Sequence, residues 1–562
     1  MPASPGKMSS QVFAGLLTVG LLFQPASPQF ESTVWGSSAI VSAAAWAAEP
    51  GSDEAALPPS SISIAANHRE LNSAANAFSI AMTKAEASIT AGALKQSAGV
   101  LASDSLEGRQ AGTRGGQAAA AYLVTELKKT RLQPAGTASW YQEFRGDCKN
   151  ILARKPGSDP SLKDEVIVLG AHYDHVGYGN PNNSRGGVGQ VHNGADDNAS
   201  GTSLLLSVAR AFDELPPLKR TVIFAFWDSE ENGLLGSTHW LDSGLVPAAR
   251  IRNSINTDMV GRLRKDLVKV QAWRSQAGLR QAMSLANQRA NPQANLFLKF
   301  DDTVIADSDH WPFFSRRIPA LQIDTELHDD YHRPTDDADR LNFEGIERIS
   351  RWVFHLAVDL AERDTLAPFR EDVFEEVKRG VRYVSPVAAT PPRLGMTWQG
   401  IPGDRGEIIV EQVRKGSPAD GAGIEPDDRI LAFGPYHDLN TKLLKSLVVT
   451  APREVPVELQ KPDGTVRTTR VSLAGAPVRV GLATRTDPAM PGVVGVTDVI
   501  PNSPAAVAGV LPGDWIYRVA GEPVGTIQNW RQLADHMSQA TELEIERNGR
   551  IRTVTIEPLL FE

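Results

Sequence analysis

Val166-Ile167-Val168-Leu169-Gly170-Ala171-His172-Tyr173-Asp174-His175 runs from four consecutive apolar residues into two histidines and an acid. An apolar run of that length, without polar alternation, reads as a short strand buried on both faces. The same pattern recurs downstream. Thr221 to Trp227 leads into Asp228-Ser229-Glu230-Glu231, and Ile251 runs as a strand pattern to Asp258. Between the first two lies a helical stretch, Ser203 to Leu215, stopped by Pro216-Pro217. Apolar strands alternating with helices predict an α/β fold with a mostly parallel sheet covered by helices on both faces.

Working outward, helical patterns precede this region up to about Leu132. Val268 to Trp273 and Pro319 to Ile323 read as further strands, and Leu279 to Arg289 as a helix. Phe343 to Arg363 is a long amphipathic helix that would close the domain. In parallel sheets, sites are built beyond the carboxyl ends of the strands. Five segments supply acids or histidines there or in adjoining loops: Gly170 to His175, Asn193 to Gly201, Asp228 to Gly233, Asn256 to Met259, and Asp330 to Thr335.

Carboxylates that follow fully buried strands are costly unless paired, and cations would relieve that cost. Two imidazoles and three carboxylates suit zinc, which accepts nitrogen and oxygen ligands. The single cysteine, Cys148, excludes an intrachain disulfide and a thiolate cage. A formal charge of −9 over 562 residues argues against nucleic acid as a partner, because phosphate binding needs a basic face.

The N-terminus resembles an export signal. Val12 to Phe23 is apolar but too short to span a bilayer, and Ala45-Trp46-Ala47 forms an A-x-A-like cleavage site. Residues 1–47 are therefore expected to direct the chain to the periplasm or the exterior, with a retained N-terminal anchor as the alternative. No later segment is apolar for long enough to cross a membrane.

Beyond a proline-marked stretch with Pro386, Pro391 and Pro392 lies an internal repeat. Gly395, Ser417, Pro418, Pro426, Asp428 and Ile430 recur 86 residues later as Gly481, Ser503, Pro504, Pro512, Asp514 and Ile516. A constant offset means two copies of one module. Each copy ends in a hairpin signal, Asp463-Gly464 or Asn548-Gly549.

The five segments, in this order and with these neighbours, resemble the di-zinc exopeptidase family of leucyl aminopeptidases, glutamate carboxypeptidases and glutaminyl cyclases. The resemblance covers roughly Ile62 to Arg363 and includes the leading segment Leu101 to Arg109. It implies two Zn2+ per chain. His172 and Asp258 would bind one, Glu231 and His332 the other, and Asp197 would bridge them around a shared water or hydroxide. Asp196 falls at a non-ligand position. Glu230 falls at the general-base position, taking a proton from water and passing it to the departing amine. Asp174, two residues past His172, is expected to accept that ring's N–H and fix its tautomer. His175, His192, His239 and His328 read as loop or structural residues. Asp309-His310-Trp311-Pro312-Phe313 resembles a segment near the family's substrate pocket; its aromatics either line that pocket or belong to the core.

The repeats resemble PDZ domains. Arg393-Leu394-Gly395-Met396 and Arg479-Val480-Gly481-Leu482 stand at the carboxylate-binding loop, and Pro512-Gly513-Asp514-Trp515-Ile516 at a characteristic turn. Such modules add a peptide strand to a sheet edge and capture its C-terminus.

The expected organisation is an export signal over 1–47, a polar linker over 48–61, a di-zinc peptidase domain over 62–365, a linker over 366–391, and PDZ-like domains over 392–475 and 476–562. The expected activity is removal of residues from peptides with a free N-terminus, with C-terminal peptides as ligands of the PDZ-like modules. A peptidase domain with its own core and closing helix is expected to fold without the modules. The alternatives are a carboxypeptidase using arginines such as Arg185, Arg262 and Arg316-Arg317, an inactive PDZ-containing binding protein, and a single-zinc glutaminyl cyclase, against which His172 argues.

Overall fold

The computed structural model describes residues 76–379, 393–400, 408–535, 537–559 and 561. The expected export signal, the polar linker and the prolines at 386, 391 and 392 lie outside them.

Two helices and a third open the described chain: α1 (76–87), α2 (Ala91–Leu101) and α3 (Arg114–Leu127). There follow β1 (Gln133–Pro134), β2 (Tyr141–Phe144), β3 (Cys148–Lys155), β4 (Val166–His172), α4 (Gly201–Glu214), β5 (Thr221–Trp227), α5 (Leu235–Asp242) and β6 (Ile251–Thr257). Then come β7 (Leu267–Gln271), α6 (Leu279–Ala290), β8 (Phe297–Phe300), α7 (His310–Ser315), β9 (Ala320–Asp324), α8 (Phe343–Glu362) and α9 (Val373–Arg379). The nine strands form one sheet in the order β1-β3-β5-β4-β6-β9-β7-β8, with β2 paired to β3. Its centre, β5-β4-β6-β9, is parallel, as the buried apolar runs predict. The flanks differ: β3 runs antiparallel to β5, and β7 antiparallel to β9.

Strand β5 shows why its sequence is apolar throughout. Val222, Phe224 and Phe226 join the core on the α4 and α8 side, while Ile223, Ala225 and Trp227 join the core on the α5 and α7 side. Alternate side chains of a strand point to opposite faces, so a sheet covered twice needs no polar positions. Helix α8 closes the first face, burying Ile349, Trp352, Val353 and Leu356. Among the described residues, no helix is long and apolar enough to cross a membrane.

The two repeats have the same architecture. The first has β10 (Met396–Gly400), β11 (Ile408–Val413), α10 (Pro418–Gly421), β12 (Arg429–Phe433), α11 (Thr441–Thr450), β13 (Glu454–Gln460) and β14 (Val466–Ser472). The second has β15 (Leu482–Asp487), β16 (Met490–Val499), α12 (Pro504–Val507), β17 (Trp515–Val519), β18 (Glu522–Pro523), α13 (Ile527–Asp535), β19 (Thr541–Arg547) and β20 (Arg550–Ile556). The sheets run β10-β11-β12-β13-β14 and β15-β16-β17-β19-β20, and their neighbours are antiparallel.

The repeated residues have a common physical role. Gly395 and Gly481 adopt φ of +76° and +86°, and a Cβ there would come within 2.4 Å and 2.1 Å of the Cβ of Ser417 and Ser503. Those serines cap α10 and α12 by accepting from the backbone N–H of Asp420 and Ala506. Asp428 and Asp514, both buried, accept from the N–H of Glu425 and Leu511 and pair with Lys461 and Arg547.

The linker expected over 366–391 is partly wrong. Val373 of α9 is buried in the core that contains Phe313 and Trp240. Glu376 accepts from Arg274 at 2.7 and 3.0 Å and from Arg370 at 2.8 Å. Residues up to 379 are thus folded onto the α/β domain; the apolar pair Val373-Phe374 is the sequence signal for it.

The second module is also docked there. Arg274 donates to Asp487, and Arg280 donates to Glu546 at 2.9 Å. Met490, Trp515 and Tyr517 are continuous with the α6 core. The Asn548-Gly549 hairpin tip reaches β8, where the N–H of Leu298 donates to the Asn548 carbonyl at 2.9 Å. Gly549, at φ +75°, is required here, because a Cβ would lie 2.3 Å from Leu298 Cγ. The corresponding Gly464 has open space around it.

Candidate metal centre

Neighbouring strands end together and deliver the acids and histidines to one edge. His172 is the last residue of β4, Asp258 follows β6, and Glu230 and Glu231 lie just past β5. Asp197 comes from the segment preceding α4, and His332 from the loop after β9.

Asp197 stands between two groups. On one side, His172 Nε2 lies 3.3 Å from Asp197 Oδ1 and 3.3 Å from Asp258 Oδ1. On the other, His332 Nε2 lies 3.0 Å from Asp197 Oδ2 and 3.3 Å from Glu231 Oε2. The potential ligand atoms of His172, Asp197 and Asp258 all lie within 4.8 Å of one another, and so do those of His175, Asp197, Glu231 and His332. Among the described residues, no lysine or arginine comes within ion-pair distance of Asp197, Glu231 or Asp258; their partners are imidazoles.

That arrangement is short of positive charge. Burial works against a charged His172 ring, but Asp258, Glu230, Asp174 and Asp197 outweigh it and hold its pKa well above the ordinary range. Burial likewise opposes charge on His332, yet Asp197 and Glu231 push it up to about 10. For Glu231, burial and Asp197 raise the pKa, but hydrogen bonds with His175 and His332 bring it down to about 2. Buried carboxylates that draw protons onto imidazoles can exchange those protons for divalent cations. The donor set, nitrogen and carboxylate oxygen in two groups sharing one acid, fits a pair of zinc ions.

Glu230 lines the same cavity as His172, Asp197 and Asp258. Burial raises its pKa well above the usual glutamate value, and Glu231, Asp309 and Asp258 add to the effect against the opposing pull of His172. Asp174 is fully buried and differs in detail from expectation. The nearest acceptor to His172 Nδ1 is the backbone carbonyl of Asp174 at 3.2 Å, with the carboxylate at 3.6 Å. Its carboxylate instead accepts the backbone N–H of Glu230 at 3.0 Å. Asp174 therefore ties the His172 loop to the Glu230 loop.

Three supports surround these groups; His328 has the structural role the sequence allows, while the parts of His175 and Arg109 were not read from it. His175 is buried, and its Nδ1 lies 2.8 Å from Glu231 Oε1, so it belongs with the second group; its place three residues past His172 was the available signal. His328 lies 3.0 Å from Asp196 Oδ2, and Asp196 also accepts the Gly261 N–H, so this non-ligand acid is a buried structural anchor. Arg109, wholly buried, donates to the carbonyls of Leu101, Tyr173, Asn193 and Gly194 at 2.7, 2.8, 2.6 and 3.0 Å. It clamps the loop after His172 to the loop before Asp197. The aromatics after Asp309 belong to the core: Phe313 packs against Trp227 and Trp240 at centroid distances of 6.2 and 5.9 Å.

Parts of the chain are similar to known proteins. Residues 150–357 match the model of peptidase family M28, and residues 495–547 match the PDZ domain. "Probable leucine aminopeptidase 2" of Aspergillus fumigatus is 32% identical over 193 residues, covering 32% of this chain and 34% of that protein. "Leucine aminopeptidase 1" of Pyrenophora teres f. teres is 26% identical over 269 residues, covering 44% of this chain and 64% of that protein. The chain thus spans about a third of the first relative and just under two thirds of the second. The structure of the Legionella pneumophila LapA aminopeptidase matches 50% of this chain and 75% of its own, at 19% identity and a TM-score of 0.41. The chain carries a peptidase domain of family M28 and, towards its C-terminus, a PDZ domain.

Proposed function

We propose that the protein is a zinc-dependent aminopeptidase. The observation that carries this reading is the pair of acid–imidazole groups joined through Asp197, beside Glu230 in one cavity. His172 and Asp258 would hold one zinc ion, Glu231 and His332 the other, and Asp197 both. When bound, the ions would polarise the scissile carbonyl and make water a better nucleophile at neutral pH. Glu230 takes a proton from the attacking water as the carbon–oxygen bond forms. It returns that proton to the amine as the carbon–nitrogen bond breaks. A carboxylate whose pKa is raised by burial suits both halves of that exchange. Asp174 holds the backbone of Glu230 in register with His172.

The arginines favour an aminopeptidase over a carboxypeptidase. Arg262 is paired with Asp330 and Asp336, Arg316 with Asp242, and Arg317 with Glu371. Of the four candidates, Arg185 alone lines the cavity, stacked over Tyr331 at 4.5 Å. A single arginine is not the arginine cluster that capture of an acidic C-terminus calls for.

The test compares aminoacyl chromogenic substrates with their N-acetylated counterparts, with and without a chelator. Free-amine substrates should be cleaved, acetylated ones spared, and chelation should abolish turnover. Glu230→Gln should keep its metal by elemental analysis and lose at least about a hundredfold in kcat. Cleavage of acetylated substrates at equal rates would sink the aminopeptidase reading. Loss of zinc from Glu230→Gln with activity regained on resupply would mean that Glu230 and Glu231 exchange roles.

A further inference from the structure

Resting on the aminopeptidase reading, we propose that the cavity selects peptides whose N-terminal residue is lysine or arginine. The cavity beside the acid–imidazole groups has a volume of about 440 Å³, and its wall carries charged as well as apolar side chains. That wall carries Lys269, Asp301, Asp307 and Asp324.

The charges there do not balance. Lys299 is taken up by Glu326 at 2.5 Å. Lys269 is shared between Asp301 at 4.0 Å and Asp324 at 3.9 Å, with little of any of the three side chains exposed. Asp307 has no cation within ion-pair distance among the described residues. Three carboxylates therefore share one ammonium. Counting Arg185, which is stacked on Tyr331, still leaves one negative charge in excess. Asp324 registers the shortage: burial pushes its carboxyl up to about 6 in spite of Lys269.

A basic side chain fits this wall in both its parts. Its cation would complete the set with charge-assisted hydrogen bonds to Asp307 or Asp324. Its aliphatic stem would lie along the apolar side chains that line the same cavity: Met259, and Ile305 and Leu327, which are 49% and 60% exposed. A leucine side chain would strip water from Asp324 and Lys269 and give no hydrogen bond in return. A glutamate would add to the excess of negative charge.

The experiment uses the full chain with zinc and four aminoacyl p-nitroanilides: lysyl, arginyl, leucyl and glutamyl. Lysyl and arginyl substrates should exceed the leucyl one in kcat/KM by at least about tenfold, the worth of one good charged contact. Asp324→Asn and Asp307→Asn should each lower the lysyl-to-leucyl ratio several-fold. Asp307 is on the surface, so the test survives if Asp324→Asn does not fold. A leucyl rate equal to or above the lysyl rate overturns the proposal and leaves the aminopeptidase reading intact, as does a ratio that neither variant moves. Failure to cleave any of the four overturns both.

Discussion

Arg274 and Asp487, 213 residues apart, are joined by two hydrogen bonds of 2.8 and 2.9 Å, with 3% and 0% of their side chains exposed. The same guanidinium grips Glu376 of α9 and lies 5.0 Å from the Trp273 ring. One arginine of the peptidase core thus holds both the segment after α8 and the second PDZ domain. Isolated folding of the peptidase domain, the expectation drawn from its closing helix, conflicts with this arrangement.

A chain ending at Arg363 would lose the bonds of Arg274 to Glu376 and Asp487 and of Arg280 to Glu546, and would expose the core surface that Val373, Met490 and Trp515 cover. It should be recovered mainly as aggregate. In the full chain, Asp487→Ala should cost about 2 kcal/mol in urea unfolding, since it removes one of the two carboxylates hydrogen-bonded to a buried guanidinium that keeps Glu376. A monomeric, zinc-binding product from the truncation would show that the docking is dispensable.

Acid should loosen the same joint. Burial raises the Glu376 pKa, but Arg274 and Arg370 overcome it and hold it at about 2. Asp487 is likewise raised by burial and brought below its ordinary value by Arg274. A carboxyl with a depressed folded pKa contributes stability that is complete above its unfolded value and lost as pH falls towards the folded one. For Glu376 that window runs from 4.5 down to about 2. The urea midpoint should therefore drop through this window, and Glu376→Gln should fall less steeply. Parallel profiles for the two proteins would remove Glu376 from the joint.

The contrast between this joint and the catalytic region explains what the sequence could convey. Val166 to Leu169 and Thr221 to Trp227 are legible because a strand covered on both faces has only one composition available to it. Gly395 and Gly481 are legible because the close approach of Ser417 and Ser503 tolerates no side chain. Arg274, Asp487 and Glu376 are unremarkable as residue types, and their pairing depends on contacts about a hundred residues or more apart in the chain, which local pattern does not encode. His175 failed for another reason. It shares a loop with His172, and only the path of the backbone decides which of the two groups each ring joins.

His175 leads to a prediction at the site. Its Nδ1 lies 2.8 Å from Glu231, so it orients a carboxylate of the second group. Replacing it with alanine should weaken zinc retention by about 10- to 100-fold while leaving Glu230 in place. Competition with a chromogenic chelator measures this directly. Wild-type retention would return His175 to the status of a buried loop residue. Asp197→Ala should cost metal in both groups, and two zinc ions per chain in that variant would sink the shared role of Asp197.

Arg109 allows a stricter test, because it touches no proposed ligand side chain. Its four hydrogen bonds all go to backbone carbonyls, two of them at Asn193 and Gly194, just before Asp197, and one at Tyr173, just after His172. Burial lowers its pKa to about 10, with Asp197, Asp174, Asp336 and Glu231 opposing, so the guanidinium stays charged at neutral pH. Arg109→Met would leave those carbonyls unsatisfied and remove the cation facing these acids. A loss of about 3 kcal/mol or more is expected, together with weaker zinc binding. Arg109→Lys separates charge from geometry. An ammonium restores the charge but lacks the planar fork that reaches carbonyls on separate loops. If Arg109 works by clamping the loops, the lysine variant should recover part of the stability, and zinc affinity should stay well below wild type. Full recovery of both by lysine would show that the charge alone matters and that the ligand loops hold their positions without the clamp.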